Sequence, residues 1–278
     1  MEKDHLLIEN PLKSGWDHDQ VIRAYFHNSD LQTRWAIDCL SSQRFKGNEM
    51  VLDYGSGDGK ITSMLTSFVP QGQVLGVDIS KGMTLFSSRM FPRSQFPNLS
   101  FQSFEAIDFS DFEFSKPFDV VTSFCVLQLI PHPRPVLEKL YRLTKPSGKL
   151  VTTYPIGTNS AFTRARDEAL KAKGLKKVVS PDATFLRDPL QLRLVLSEIG
   201  YNITKLNVIH VQYTFGSREE MIDWCEGTLT GNLNIPQEYR REFFENVVHL
   251  YCDYSPENCD ENGFIDFALD RIELVATK

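Results

Sequence analysis

The sequence predicts an α/β protein built on a mostly parallel sheet, and two observations support this. From residue 50 to residue 154 short apolar strand patterns alternate with helical patterns. The first strand, in Val51–Gly59, runs directly into a glycine-rich turn, and the second strand ends in the carboxylate of Asp78. Alternating strands and helices pack as a parallel sheet with right-handed crossovers.

Ahead of this region two helical stretches are predicted between Trp16 and Leu40. Asp30 is the expected N-cap of the second, because aspartate side chains accept hydrogen bonds from the first free N–H groups of a helix. Residues 1–14 are polar and aperiodic, which predicts a flexible N-terminal arm before a single domain over 15–278. The side chains expected to pack inward from the second helix are Leu31, Trp35, Ile37 and Leu40.

In the alternating region Ser80 is expected to cap a helix, and Pro146-Ser147-Gly148 indicates a turn. The apolar run at 118–124 is typical of a strand that is buried on both faces. The predicted strands are 50–54, 73–78, 99–104, 118–124 and 149–154, and the predicted helices include about 59–69 and 134–144.

After Pro155 longer helices replace the regular alternation. Asp188-Pro189 combines an N-cap with a first-turn proline, and Ser217 with Glu220 forms a capping-box pattern. The remaining predictions are a charged helix from Asn159 to Gly174, a helix from Asp188 to Gly200, a strand at 201–215, a helix from Pro236 and a terminal strand at 263–278.

Composition excludes several classes of protein. The net charge is −6 and the cations are scattered, so the basic stripe needed for nucleic acid is missing. The longest mostly apolar stretch, Phe118 to Ile130, is too short to span a bilayer. The N-terminus lacks a signal-peptide profile. The five cysteines have no metal-ligand spacing, and their odd number is typical of a reducing compartment, so a cytoplasmic location without a bound metal is expected.

The glycine turn suits a cationic nucleoside better than a dinucleotide. Its glycines fall as Gly55-x-Gly57-x-Gly59, one residue tighter than the G-x-G-x-x-G fingerprint. Asp53 and Asp58 would repel a pyrophosphate but suit a ligand that carries an ammonium and a sulfonium. Asp78 can accept hydrogen bonds from both hydroxyls of a ribose. The neighbours Ser56 and Ile79 are included in the expected cofactor site.

This arrangement, Asp53-x-Gly55-x-Gly57-x-Gly59 with a distal Asp78, resembles the class I S-adenosylmethionine-dependent methyltransferases. The resemblance implies an enzyme that uses S-adenosylmethionine. It implies a Rossmann-like, seven-stranded, mostly parallel sheet with an antiparallel last strand, helices on both faces, N-terminal helices and a helical cap insertion at about 155–190. It also places Glu105-Ala106 at the adenine and Ser123-Phe124 beside the methionine moiety. Met83 is either an adenine contact or an ordinary core residue.

Around Tyr25 and Gln32, and again from Ser123 to Ile130, the chain is similar to the juvenile hormone acid and trans-aconitate methyltransferases. That similarity implies O-methylation of the carboxylate of a small acid, which arrives ionised and needs no catalytic base. Gln32 matches a glutamine that this group uses near the substrate carboxylate, whereas Leu129 stands where the group has tryptophan. Further acceptor-side candidates are His132, Arg164 and Arg166.

Other functions stay open at this stage. The acceptor could instead be an acid on a carrier protein, for which Lys171, Lys173, Lys176 and Lys177 offer a modest basic patch, or a small metabolite that is methylated on nitrogen or carbon. An NAD-dependent oxidoreductase is disfavoured by the glycine spacing. A non-catalytic nucleoside-binding module is disfavoured by the intact Asp53, Gly55, Gly57 and Asp78.

Overall fold

The computed structural model describes residues 15–103, 117–174, 181–233 and 235–278. In this part of the chain a seven-stranded sheet has the order β3-β2-β1-β4-β5-β7-β6. All neighbouring pairs from β3 to β5 are parallel, and β7 runs antiparallel to both β5 and β6. The predicted fold class is therefore confirmed, including the antiparallel last strand. The strands are β1 Met50–Tyr54, β2 Gln73–Asp78, β3 Leu99–Ser103, β4 Phe118–Phe124, β5 Thr144–Pro155, β6 Asn202–Phe215 and β7 Ile265–Thr277.

Helices cover both faces of this sheet, and within the described ranges none of them is long and apolar enough to cross a membrane. Short 3₁₀ turns lie at Leu127–Leu129, Pro181–Arg187, Gln237–Tyr239 and Pro256–Asn258. The α-helices are α1 Asp19–Asn28, α2 Asp30–Ser41, α3 Lys60–Phe68, α4 Lys81–Met90, α5 Pro133–Leu143, α6 Ser160–Ala172, α7 Pro189–Ile199, α8 Arg218–Leu233 and α9 Arg240–Tyr254.

Local capping explains where several helices begin. Ser80 accepts the Met83 N–H at 2.9 Å at the start of α4, as predicted. Asn159 accepts the Phe162 N–H at the start of α6, and Asp188 accepts the Leu190 N–H at the start of α7. Each side chain satisfies a donor that the helix itself leaves free, which contributes about 1 kcal/mol per cap.

The sheet is packed on both faces, as expected for strands that are apolar along their whole length. Helices α2 and α3 cover one face and α5 and α7 cover the other. Leading side chains on the first face are Cys39, Leu40, Leu65, Val51, Val120 and Val151, and on the second they are Leu137, Leu140, Leu192, Leu196, Leu52, Val121 and Leu150.

A third apolar cluster lies where β6 and β7 extend beyond β5. It joins α6, α8 and α9 to the α2 residues Leu31 and Trp35 and to the strand residues Phe215 and Phe267. The segment predicted as a cap is divided in this arrangement, because α6 joins this cluster while Leu186, in the 3₁₀ turn, packs with the α5–α7 face. The bounds of the cap and of the N-terminal arm remain predictions.

Several sequence expectations differ from the structure, and one is the turn at Pro146-Ser147-Gly148, which lies inside β5. Asp30 is the first residue of α2 rather than its N-cap, and Ser29 precedes it. The serine hydroxyl donates to Asp58 at 2.7 Å, so tertiary bonding replaces the usual capping bond. Ile37 is 38% exposed, because α2 turns its Trp35 side inward instead. Cys252 and Cys259 form a disulfide, with Cα atoms 5.7 Å apart, that the cysteine count did not predict.

Gly55→Ala should destabilise the fold more than Gly157→Ala does. Both glycines have positive φ, +81° and +71°, which costs another residue about 1–2 kcal/mol. A Cβ at Gly55 would also lie 2.7 Å from Cγ1 of Val126, whereas nothing lies within 4 Å of one at Gly157. Urea unfolding should therefore give Gly55→Ala an additional loss of about 1–3 kcal/mol from overpacking. Adding Val126→Ala should recover part of that difference, and a double mutant no better than Gly55→Ala would contradict the proposed clash.

Candidate functional site

The glycine turn after β1 brings main-chain N–H groups to the carboxyl end of the sheet. The N–H groups of Gly55 and Ser56 both donate to the Val77 carbonyl, at 2.8 and 3.0 Å, so the turn is fastened to the end of β2. Gly57 has φ +50°, and a Cβ there would meet only the Tyr25 ring, at 3.7 Å. The main chain at Gly57 is therefore open to close approach by a ligand.

Asp78, at the end of β2, is held by the same turn. Its carboxylate accepts the Gly57 N–H at 2.9 Å and the Ser80 N–H at 2.9 Å. Burial raises the pKa of Asp78 to about 6, against the lowering effect of these two hydrogen bonds. A carboxylate offers about four acceptor positions, so capacity remains for a ligand's hydroxyl groups.

Asp53, at the end of β1, is buried and satisfied by hydroxyl groups. Thr62 donates to one carboxylate oxygen at 2.6 Å and Thr122 to the other at 2.8 Å. Burial raises its pKa to about 6, and the nearby Asp78 and Asp58 raise it further. Each carboxylate oxygen of Asp53 already accepts a hydrogen bond from a threonine. We therefore expect Asp53 to act on a ligand through its charge more than through direct hydrogen bonds.

Asp58 connects the glycine turn to the N-terminal helices. It accepts the Ser29 hydroxyl at 2.7 Å and the Lys60 N–H at 3.1 Å. The Lys60 ammonium in turn donates to the Phe26 carbonyl and approaches Asp30 at 3.2 Å. Burial raises the pKa of Asp58. The junction between α1 and α2 is thereby fixed above the turn.

Tyr25, on α1, lies over the glycine turn and is half-buried. Burial raises the pKa of its hydroxyl well above the ordinary value, and the nearby Asp58 and Asp78 carboxylates act in the same direction. The Trp16 ring packs edge-on against the Tyr25 ring, with centroids 5.4 Å apart. The structure therefore brings this predicted acceptor-side residue together with the three carboxylates and with Cys125, which follows β4.

The contacts that hold α1 in place were not predicted from the sequence. Ser80 donates to Asp17 at 2.6 Å, and the Gly82 N–H also donates to Asp17, at 3.0 Å. On the other side, Gly227 of α8 lies close to the main chain of α1, where an added Cβ would come within 2.7 Å of the Ala24 carbonyl. The spacing Gly227-x-x-x-Gly231 was the available indication of such close helix packing.

The other predicted cofactor residues lie around the same strand ends. Met83 is buried at the first turn of α4, and Ile79 is half-buried between Asp78 and the Ser80 cap. Ser123 is fully buried, and the Phe124 ring packs into the core under α2 and α3. Their contacts with a ligand remain predictions. Glu105 and Ala106 lie outside the described residues.

Of the acceptor-side candidates, Gln32 lies deepest. It is 8% exposed on α2, and its Oε1 has no hydrogen-bond partner among the described residues. Leu129 is half-buried at the end of a 3₁₀ turn, and His132 is exposed at the start of α5.

Both arginines of α6 already have a partner on the protein. The exposed Arg164 stacks on the Tyr254 ring at 3.9 Å, and Arg166 pairs with Asp167 at 2.8 Å. In the lysine patch, Lys173 pairs with Glu242 at 2.9 Å, while Lys176 and Lys177 lie outside the described residues.

Buried polar groups without hydrogen-bond partners lie between α2 and β7. Two of them, on Trp35 and Arg271, were not predicted from the sequence. Trp35 and Arg271 are each 3% exposed, and within the described residues Nε1 of Trp35 and Nε of Arg271 have no hydrogen-bond partner. Each such group costs about 1–3 kcal/mol of stability. Groups retained at that cost point to a ligand or bound water.

The site as a whole suits a cationic nucleoside. It offers an open glycine turn, a buried carboxylate with spare acceptor capacity at Asp78, and a high density of negative charge from Asp53 and Asp58. S-adenosylmethionine carries a ribose, an ammonium and a sulfonium, so the residues present fit it. In the described part of the chain no group of three or more His, Cys, Asp or Glu side chains is placed to hold a metal ion.

Comparison with known proteins also indicates a methyltransferase. A family model described as a methyltransferase domain matches residues 45–201. The chain is 31% identical to a trans-aconitate 2-methyltransferase of Methylobacterium nodulans, over 95% of this chain and 99% of that protein. It is 24% identical to a malonyl-[acyl-carrier protein] O-methyltransferase of Priestia megaterium, over 89% of both chains.

Solved structures share the fold at low identity. A phosphoethanolamine N-methyltransferase 2 of Haemonchus contortus, in complex with S-adenosylhomocysteine, aligns with a TM-score of 0.60 and 17% identity, over 96% of this chain and 60% of that one. The [4+2]-cyclase SpnF aligns with a TM-score of 0.53 and 15% identity, over 88% and 80% of the two chains. Because those activities differ, the fold alone does not specify an acceptor.

Asp78→Asn should weaken binding of S-adenosylhomocysteine about tenfold to a hundredfold. The amide keeps one acceptor oxygen but places an N–H₂ donor against a ribose hydroxyl or the Gly57 N–H, and a lost charged hydrogen bond is worth about 1.5–3 kcal/mol. Isothermal titration measures the affinity. Asp253→Asn, an exposed carboxylate on α9, is the control and should bind like wild type. Unchanged affinity in Asp78→Asn would contradict the proposed ribose contact.

S-adenosylmethionine affinity should rise as the pH is raised from about 5 to about 7. Burial raises the pKa values of Asp53 and Asp78 to about 6, above the unfolded value, so both carboxyls lose their charge as the pH falls through 6. Titrations in buffers of different ionisation enthalpy should show proton release on binding near pH 6. Asp78→Asn should flatten the profile. Affinity that does not change with pH in the wild type would contradict a role for these charges.

Proposed function

We propose that this chain, which belongs to the class I S-adenosylmethionine-dependent methyltransferases, transfers the methyl group to a carboxylate of a small organic acid. The cofactor and the general activity follow from the family. The acceptor is our proposal, and the single observation that favours it is the buried Gln32 side chain on α2, whose amide Oε1 has no hydrogen-bond partner among the described residues.

Methyl transfer to a carboxylate requires little catalytic chemistry from the protein. S-adenosylmethionine supplies an electrophilic methyl group on a sulfonium. A carboxylic acid with a pKa near 4 is already ionised at neutral pH, so a general base is not required. The protein's contribution is orientation and exclusion of water, and oriented proximity alone can offset about 7–11 kcal/mol of a barrier.

The described residues suit these tasks. Asp78 and the turn at Gly57 would hold the nucleoside, while Asp53 and Asp58 add negative charge close to the cationic part of the cofactor. Tyr25 covers the turn from α1, and Ser29 fixes that helix junction through Asp58. The covered turn would exclude water from the transferring methyl group.

Gln32 has properties suited to the acceptor carboxylate. A carboxylate cannot donate to the unpartnered Oε1, but turning the amide over exchanges Oε1 for the N–H₂ group, which can donate to a carboxylate oxygen without neutralising the charge that makes that oxygen nucleophilic. The relatives support an acid acceptor by their names, since one methylates trans-aconitate and the other a malonyl group on a carrier protein. A carrier-bound acid also presents a free carboxylate. It is our second candidate, weakened by the pairing of Lys173 with Glu242.

The proposal is tested by methyl transfer from labelled S-adenosylmethionine to a panel of mono-, di- and tricarboxylic acids that includes trans-aconitate. We expect a product that releases methanol on mild alkaline treatment, as methyl esters do. Gln32→Leu should lower kcat/KM at least tenfold while S-adenosylhomocysteine affinity stays within twofold. The matched control is Gln191→Leu, on the exposed face of α7. Transfer to amines or phenols but to no acid would contradict the proposal.

A further inference from the structure

Arg271 is a buried cation that its surroundings leave partly unsatisfied. It lies on β7 opposite Pro155 of β5. One terminal nitrogen donates to the Thr153 hydroxyl at 2.8 Å, and the other lies 3.6 Å from Asp38. Its Nε has no partner among the described residues. Arginine stays protonated in proteins and carries five donor hydrogens, so this side chain has donors to spare.

The neighbouring acids do not neutralise Arg271 well. Asp38 is 65% exposed, and its 3.6 Å separation from the guanidinium is too long for a direct hydrogen bond. Glu273 is the next inward-facing residue of β7, but it pairs with Lys205 at 2.5 Å. A buried guanidinium with only a distant, hydrated partner has capacity for an anion.

A second unpartnered donor lies on the helix that covers Arg271. Trp35 is one turn before Asp38 on α2, and its indole N–H has no partner within the described residues. Trp35 packs in the same cluster as Leu269, which is the inward-facing residue preceding Arg271 on β7. Gln32 lies one turn before Trp35 on the same helix. The seam between α2 and β7 therefore carries a guanidinium, an indole N–H and an amide.

This seam adjoins the methyl-transfer site. The Cys125 N–H donates to the Thr153 carbonyl at 2.8 Å, and the hydroxyl of the same Thr153 accepts from Arg271. Val126, the next residue, lies against the glycine turn, because a Cβ added at Gly55 would come within 2.7 Å of its Cγ1. Cys125 thus lies between the turn covered by Tyr25 and the guanidinium of Arg271.

We propose that Arg271, assisted by the indole N–H of Trp35, binds a second carboxylate of the acceptor, one that is not methylated. The inference rests on the proposed function and narrows it to di- and tricarboxylic acids. Guanidinium groups bind carboxylates through two parallel hydrogen bonds. Such a pair on the reacting carboxylate would occupy the lone pairs needed for attack, whereas on a remote carboxylate it orients the acceptor without that cost.

The test compares trans-aconitate and succinate with the monocarboxylate butyrate, on wild type and on Arg271→Gln. Binding to the complex with S-adenosylhomocysteine is measured by calorimetry, and methyl-ester formation is measured separately. We expect Arg271→Gln to weaken trans-aconitate or succinate binding at least tenfold and to leave butyrate and S-adenosylhomocysteine binding within twofold. The diacid affinity of Arg271→Lys should lie between those of wild type and Arg271→Gln, because lysine keeps the charge and loses the paired donors.

Two further variants separate recognition from folding. Trp35→Phe keeps a buried ring and removes only the N–H, so it should weaken diacid binding several-fold with little change in thermal unfolding. Arg193→Gln, an exposed arginine on α7, should change nothing. Should Arg271→Gln fail to fold, Arg271→Lys and Trp35→Phe still decide the inference.

The outcomes distinguish this inference from the proposed function. Equal loss of diacid and butyrate binding in Arg271→Gln, or a wild type that binds butyrate but no diacid, would overturn the role of Arg271 and leave acid methylation standing. Diacid binding that depends on Arg271 without any ester product would support the site and overturn the proposed function. A wild-type complex that binds none of the three acids would overturn the inference as well.

Discussion

Three carboxylates, Asp53, Asp58 and Asp78, are buried around a single glycine turn, and their burial sets the character of the site. Burial disfavours the charged form of each, which is why the pKa values of Asp53 and Asp78 rise to about 6. Apart from Lys60, the groups that stabilise them are neutral: threonine and serine hydroxyls and main-chain N–H groups. Neutral donors stabilise ionised carboxylates while leaving most of their negative charge available to a cationic ligand.

The same three acids organise the layers above the sheet. Because Asp58 accepts from Ser29, the junction of α1 and α2 is tied to the glycine turn, and Tyr25 is carried over that turn as a consequence. The close approach of α1 to Gly227 holds the helix from the opposite side. The same contacts therefore stabilise the buried Asp58 carboxylate and hold Tyr25 over the glycine turn. A change at Ser29 would affect both.

The sequence predicted features that depend on local chemistry and missed those that depend on distant contacts. The first five strands, the caps at Ser80 and Asp188 and the acids at the strand ends follow from patterns within a few residues. The inward prediction for Ile37 failed because α2 buries the side that carries Trp35, Cys39 and Leu40 instead. The seam that joins Trp35 to Arg271 spans more than two hundred positions, and neither residue belongs to a motif that marks the pairing.

Charge separation along the site explains how an anionic acceptor can bind beside buried acids. An acid approaching the sulfonium would be repelled by Asp53, Asp58 and Asp78 unless a positive group acted from the opposite side. Arg271 occupies that side, with the uncharged Cys125 between. A molecule with two carboxylates can then place one against the guanidinium and direct the other toward the cation held by the acids. The polarity of the site thus favours one orientation of the acceptor, and a monocarboxylate would lack the group that imposes it.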